Sequence, residues 1–183
     1  MDVVDWSILA SAVRFYEEEG YQRVESPWFQ PMDVIAETCP NSANIIVAGH
    51  FGGLVGSAEQ SLMAADFEGK LGRGRFFSLT PCFRNEPVID RLHLTCFMKV
   101  ELYDNEHCDE NGVMGVLSVA KRFMEHAVDQ QIDILKTADG FDLMLGDVEV
   151  GSYGIRTRRG TTWVYGTGVA EPRLSTAVRM KSE

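Results

Sequence analysis

Two alternating runs, "RFFSLTPCFRNE" (75–86) and "CFMKVELYD" (96–104), constrain the fold of this chain more than any other feature. Both are rich in aromatic and β-branched residues, so each reads as a strand. The loop between them, residues 87–93, is short enough to make them antiparallel neighbours. Side chains two apart on a strand share a face. Arg84 and Glu86 therefore point the same way, and Lys99 and Glu101 do so on the partner strand. With Arg91 in the connecting loop, that is too much charge for a face packed on a core. Spacing alone leaves two readings open, a solvated sheet face or a binding site.

The rest of the pattern supplies helices and further strands. Residues 5–19 carry apolar side chains at helical spacing, and Gly20 is a plausible stop. "YQRVESP" (21–27) is a short strand ended by Pro27. Residues 28–50 read as loop with short elements. A helix is expected to start near Ser57, where Ser57 and Gln60 have the spacing of a capping box. Glu59 beside them either complements the helix dipole or stands ready for a substrate ammonium. Residues 111–131 form the longest amphipathic helix. "FDLMLGDVEVGSYGIRT" (141–157) and "TTWVYGTGV" (161–169) read as one strand each, and residues 171–181 as a helix. With no repeat or linker, the expectation is one α+β domain over residues 1–183, an antiparallel sheet flanked by helices.

Charge and composition narrow the function. The 27 acidic residues outnumber the 17 basic ones, for a net charge of −10. Such a body gains little from the counterion release that drives nucleic-acid binding. Local positive segments at 70–75 and 156–159 are either solvated loops or phosphate-facing. No apolar run is long enough to span a membrane, and the N-terminus lacks the features of a signal peptide. The cysteines 39, 82, 96 and 108 follow no zinc spacing and suggest reduced thiols in a cytoplasm. "YGTGVAEPR" (165–173) places two glycines before an arginine at a helix start, yet lacks the remainder of a dinucleotide fingerprint. There is no P-loop either, so ATP would be held by arginines on a sheet.

Taken in order, "GYQRVESP", "CFRNE…RLHLTCFMKVEL" and "YGTGVAEPR" resemble motifs 1, 2 and 3 of the class II aminoacyl-tRNA synthetases. "LVGSAEQSL" is similar to the TxE segment of the seryl branch, and the likeness runs over about residues 8–178. It implies a catalytic core that activates an amino acid with ATP and magnesium as an aminoacyl-adenylate. Carried over by motif, Arg84 would bind the α-phosphate and stabilise the transition state, and Glu86 would contact the adenine amino group. Arg91 and Arg173 would hold the γ-phosphate from two sides, Arg173 being catalytic with Arg84. Gly166 and Gly168 would let the adenine or ribose approach. Glu149 would hold magnesium, with Glu101 a second candidate. Glu59 would receive the substrate ammonium, and Ser152 would line the amino-acid pocket.

The resemblance also implies a homodimer formed through motif 1. Because residues 1–183 run from the motif 1 helix to just past motif 3, the expectation is a catalytic core without the family's tRNA-binding appendages. "CFRNEP" (82–87) also matches the amino acid:carrier-protein ligases, which load a phosphopantetheine thiol. Those enzymes hold a zinc with a cysteine just before motif 3, where this chain has "RGTTWVYG", so zinc is not expected and Cys82 reads as a buried thiol. The favoured acceptor is a carrier protein or a small metabolite, ahead of tRNA. A non-catalytic paralog acting in regulation or assembly is the competing class.

Overall fold

The computed structural model describes residues 3–39 and 41–182. The two alternating runs form the expected antiparallel pair, named here after three short strands and three helices that precede it. These are α1 (Trp6–Glu18), β1 (Gln22–Arg23), β2 (Phe29–Gln30), α2 (Met32–Ala36), β3 (Gly53–Leu54) and α3 (Glu59–Phe67). Then come β4 (Arg75–Phe83), β5 (Cys96–Asp104), α4 (Glu110–Val128), β6 (Asp133–Lys136), β7 (Phe141–Leu145), β8 (Val148–Arg158), β9 (Thr161–Glu171) and α5 (Arg173–Ser182). The main sheet has seven strands in the order β1-β4-β5-β9-β8-β7-β6, antiparallel except where β1 joins β4. The architecture is α+β, as the residue pattern implies.

Three elements differ from expectation. Residues 141–157 are not one strand but the hairpin β7–β8, turned at Gly146, whose φ is +62°. "GD" at that turn is a hairpin signal inside an otherwise continuous apolar run. Strand β6 has no counterpart in the sequence reading because all four of its residues are exposed at the sheet edge, so no burial alternation marks it. "YQRVESP" contracts to Gln22–Arg23, which pairs with Phe76 and Phe77.

One face of the sheet is closed by α1, α4 and α5. Asp5 caps α1 by accepting from Ser7 and Ile8 N–H, and Gly20 ends the turn at φ +83°. Leu9, Ala12 and Tyr16 of α1 pack with Val116, Leu117, Ala120 and Phe123 of α4 on Val100 and Leu102 of β5. The opposite face is covered at one end only, where Leu62 and Met63 of α3 sit on Phe76, Tyr103 and Trp163. The remainder of that face is open.

Two β-bulges decide which side chains reach the open face. The β5–β9 register shifts between Val100 and Glu101, so Gly168 is the extra residue of β9. The β7–β8 register shifts between Leu143 and Met144, which makes Val150 the extra residue of β8. Strict alternation would send residues three apart to opposite sides. After the bulges, Thr167 and Ala170, and likewise Glu149 and Ser152, all line the open cleft. Among the described residues, no helix is long and apolar enough to cross a membrane.

The glycines of β9 serve the closed face. A Cβ on Gly166 would stand 2.6 Å from Tyr153 and 2.8 Å from Val116, and one on Gly168 would stand 2.8 Å from Val100 and 2.9 Å from Tyr16. Gly168→Ala should destabilise the protein by about 1–3 kcal/mol through overpacking, measured by urea unfolding. Unchanged stability would contradict this assignment.

Candidate functional site

The open cleft has two ends. At one, a cavity of about 190 Å³ is lined by Arg84, Glu86, Arg91, Lys99, Glu149 and Arg173. Five residues that the sequence assigns to ATP or magnesium therefore meet in one place, although they come from the loop after β4, from β8 and from the start of α5. Arg84 follows β4 directly, its N–H bonded to Thr95 O at 2.9 Å, and its guanidinium lies 5.1 Å from the Phe97 ring centre. Glu86 lines the same cavity, but not by strand alternation: β4 stops at Phe83, short of the expected Glu86, so the loop conformation rather than the two-residue spacing brings Arg84 and Glu86 together. Arg173 donates to the carbonyls of Glu149 (2.6 Å) and Leu92 (3.0 Å), tying the 87–95 loop to β8. The Asp90 carboxylate shapes that loop. Bonded to His93 and to the N–H groups of Leu92 and His93, it is held down to about 2. The four cationic side chains face only two carboxylates here, the balance that a polyanion needs.

At the other end, a cavity of about 360 Å³ shares Arg84, Glu86, Lys99 and Thr167 with the first and adds Ser57, Glu59, Glu101, Ser152 and Arg156. Glu101 is 1% exposed, pairs with Lys99 at 2.7 Å and accepts a hydrogen bond from Ser57 Oγ. Burial raises its pKa; Lys99 opposes the rise and the nearby Glu59 adds to it. Ser57 also accepts from Glu59 N–H at 3.1 Å, while Gln60 Oε1 accepts from Gly56 N–H at 2.9 Å. The expected capping box does not form: Ala58 is the N-cap of α3 and makes no side-chain cap bond, so Ser57 and Gln60 brace the turn before the helix while Ser57 also furnishes the cleft. Glu59 is buried, accepts from Trp163 Nε1–H at 2.8 Å and pairs with Arg156, whose guanidinium lies 3.9 Å from the Tyr165 ring centre.

Some assignments look different in this setting. Gly166 and Gly168 do not line either cavity, and their missing Cβ atoms make room for Tyr153, Val116, Val100 and Tyr16 on the helical side. Glu101 is already engaged by Lys99 and Ser57 and sits at the far end from Glu149, which disfavours it as a metal ligand. Glu59 is likewise engaged before any substrate arrives. Of the positive segments, Arg75 lies over Tyr21 and donates to Glu19 O, an internal brace. In "RTRR", Arg158 and Arg159 bind Glu37 and Asp33 at the surface. Arg156 alone enters the cleft, and sequence reasoning missed it. Its signal was the two-residue alternation from Ser152 through Gly154 along the expected strand, which was not followed into 156–159, a segment that reads as either a solvated loop or a phosphate-facing one. Cys82 is fully buried, and burial pushes its thiol up to about 11.

For magnesium, Glu149 is the fitting residue. Its side chain is 45% exposed within the cationic cavity. Among the described residues, no group of three His, Cys, Asp or Glu side chains could hold a metal. Magnesium commonly binds through one or two carboxylates plus substrate phosphates, so this single carboxylate suffices once a nucleotide supplies oxygens.

No protein-family model matches the chain, and no curated protein does. Solved structures do. The chain is similar to PylSc, a pyrrolysyl tRNA synthetase of Desulfitobacterium hafniense, with a TM-score of 0.79 and 16% identity over 96% of this chain and 69% of that one. A second structure of the enzyme from that organism gives 0.74 and 16% over 97% and 69%. The cytoplasmic serine-tRNA ligase of Naegleria fowleri, in complex with AMP, gives 0.70 and 14% over 94% and 53%. At these identities the likeness is one of fold.

Lys99→Met would leave Glu101 buried without its counter-charge and should destabilise the protein by about 3–5 kcal/mol. Glu101 has a pKa raised on folding, so its ionised form is the disfavoured one. The deficit should be full at pH above the folded pKa and shrink as pH falls through it. Urea midpoints of both proteins across pH 4–8 measure this; a pH-independent deficit would contradict the pairing.

Proposed function

We propose that this chain, built on the catalytic core of the class II aminoacyl-tRNA synthetase fold, activates an amino acid with ATP as an aminoacyl-adenylate. The observation that carries the reading is the cleft itself: a cationic cavity with one half-exposed carboxylate opens directly into a second cavity lined with paired buried charges. A carboxylate oxygen of the amino acid attacks the α-phosphorus of ATP, the bond to the β-phosphate bridging oxygen breaks, and pyrophosphate leaves with its electron pair. No side-chain nucleophile is needed.

Arg84, shared by the two cavities, is placed to neutralise the α-phosphate as negative charge accumulates there. Arg91 and Arg173 hold the β- and γ-phosphates, and Glu86 accepts from the adenine amino group. Glu149 would hold magnesium, which when bound neutralises phosphate charge. Because Gly166 and Gly168 are explained by the core, the adenine is assigned to Glu86 and the neighbouring Phe97 rather than to those glycines. For the substrate ammonium we name Glu101, where the ammonium would take the place of Lys99 or Ser57, which leaves Glu59 to Trp163 and Arg156. Ser152 lines the space beside it. The role of these groups is alignment and charge neutralisation.

The acceptor in this proposal is a carrier protein or small metabolite rather than tRNA, supported by the net charge of −10. The enzyme works in the cytoplasm as a homodimer through α1 and β1, the latter being the edge strand of the sheet. ATP–pyrophosphate exchange measured with each of the twenty amino acids tests activation. Exchange with at least one of them is expected, and Arg84→Ala should lower it by about 100-fold or more. A folded protein that binds no ATP and exchanges with none would overturn the proposal. Charging of bulk tRNA in the same mixture would replace the acceptor named here with tRNA.

A further inference from the structure

The Arg156–Glu59 pair has no part in the chemistry at phosphorus. Glu149 marks the phosphate end of β8, and Arg156 lies roughly 20 Å farther along that strand at ~3.3 Å per residue. Both Arg156 and Glu59 nonetheless line the amino-acid cavity. The guanidinium is held in advance, by Tyr165 beneath it and by Glu59, which is itself fixed by Trp163. Among the described residues, the hydrogen bond from Nη1 to Glu59 is the only one Arg156 makes, out of five N–H donors. Each oxygen of Glu59 accepts one bond and has a further lone pair. The far end of the cavity thus offers a rigid donor directly beside a rigid acceptor.

We infer that the substrate amino acid carries a side-chain carboxamide, its carbonyl accepting from Arg156 and its NH₂ donating to Glu59. This rests on the activation reading and adds its substrate class. A carboxamide is the donor–acceptor complement of the pair. A carboxylate is acceptor-only and would bring a further anion beside Glu59 and Glu101, two carboxylates close enough to influence each other. A hydroxyl has one heavy atom with which to serve both partners, and an apolar side chain would cover the remaining donors of Arg156, 27% exposed without a ligand, and leave them unpaired. Charge balance agrees. The cavity's three cations, Arg84, Lys99 and Arg156, match its three carboxylates, Glu59, Glu86 and Glu101. A zwitterion with a neutral side chain preserves that balance.

The amino-acid panel in the exchange assay tests the inference. Asparagine or glutamine should support exchange with the highest kcat/KM, and the better of the two reports how far the pair stands from the reacting carboxylate. Exchange that prefers aspartate or glutamate, or any amino acid without a side-chain carbonyl, would overturn the carboxamide assignment while leaving activation intact. Exchange with no amino acid defeats both. Arg156→Lys keeps a cation on buried Glu59 but loses the planar fork. It should raise KM for the amide substrate by about 10- to 100-fold with KM for ATP unchanged. An unchanged amino-acid KM in a variant whose unfolding midpoint matches the parent would show that Arg156 does not read the side chain.

Discussion

Glu101 is an ionisable carboxylate closed off from solvent on a central strand of the sheet, and the open face is organised around satisfying it. Lys99 from the same strand and Ser57 from the start of α3 close on it from two sides. Ser57 in turn accepts from Glu59 N–H at the first residue of α3, and α3 carries Glu59 to Trp163 and Arg156. A buried charge tolerates little rearrangement, because losing one partner strands the other in a medium of low polarity. This chain of pairings therefore links β5, α3, β9 and β8 into one rigid floor. The cleft is stiff where a small substrate would have to be discriminated.

The phosphate end is built differently. Its arginines are half-buried or exposed and come from segments outside the strands, and Arg173 anchors the 87–95 loop by two carbonyls. Excess positive charge there is compatible with solvent and suits a polyanionic ligand. The two ends thus divide along physical lines: excess cationic charge at the solvent-accessible end, and mutually neutralised charge at the buried end. Lys99 and Arg84, lining both cavities, sit at the boundary.

Much of this was legible from residue order. The alternation in 75–86 and 96–104 announced an antiparallel pair, although β4 stops at Phe83, and a helix does begin beside Ser57, although Ala58 rather than Ser57 is its N-cap. Arg84, Glu86, Arg91, Glu149 and Arg173 do converge on one cavity. The misreadings share a cause. Gly166 and Gly168 resemble a ligand-approach motif, but a glycine serves equally wherever two side chains press on a strand. Arg156 lay within a basic run whose other two arginines, 158 and 159, bind Glu37 and Asp33 at the surface, and only the two-residue alternation from Ser152 marks the one that turns inward.

Sequence by itself determined the main periodicities and the inventory of charge: the central strand pair, the long helices, and that an acidic chain carries arginines at motif positions. Tertiary structure alone decided the rest, namely which carboxylates arrive already paired, and on which face each residue of β8 and β9 falls. The physical reason is the bulges. One extra residue at Val150 and one at Gly168 reverse the facing of everything beyond them, and a bulge is a property of two strands in register, not of either strand's sequence.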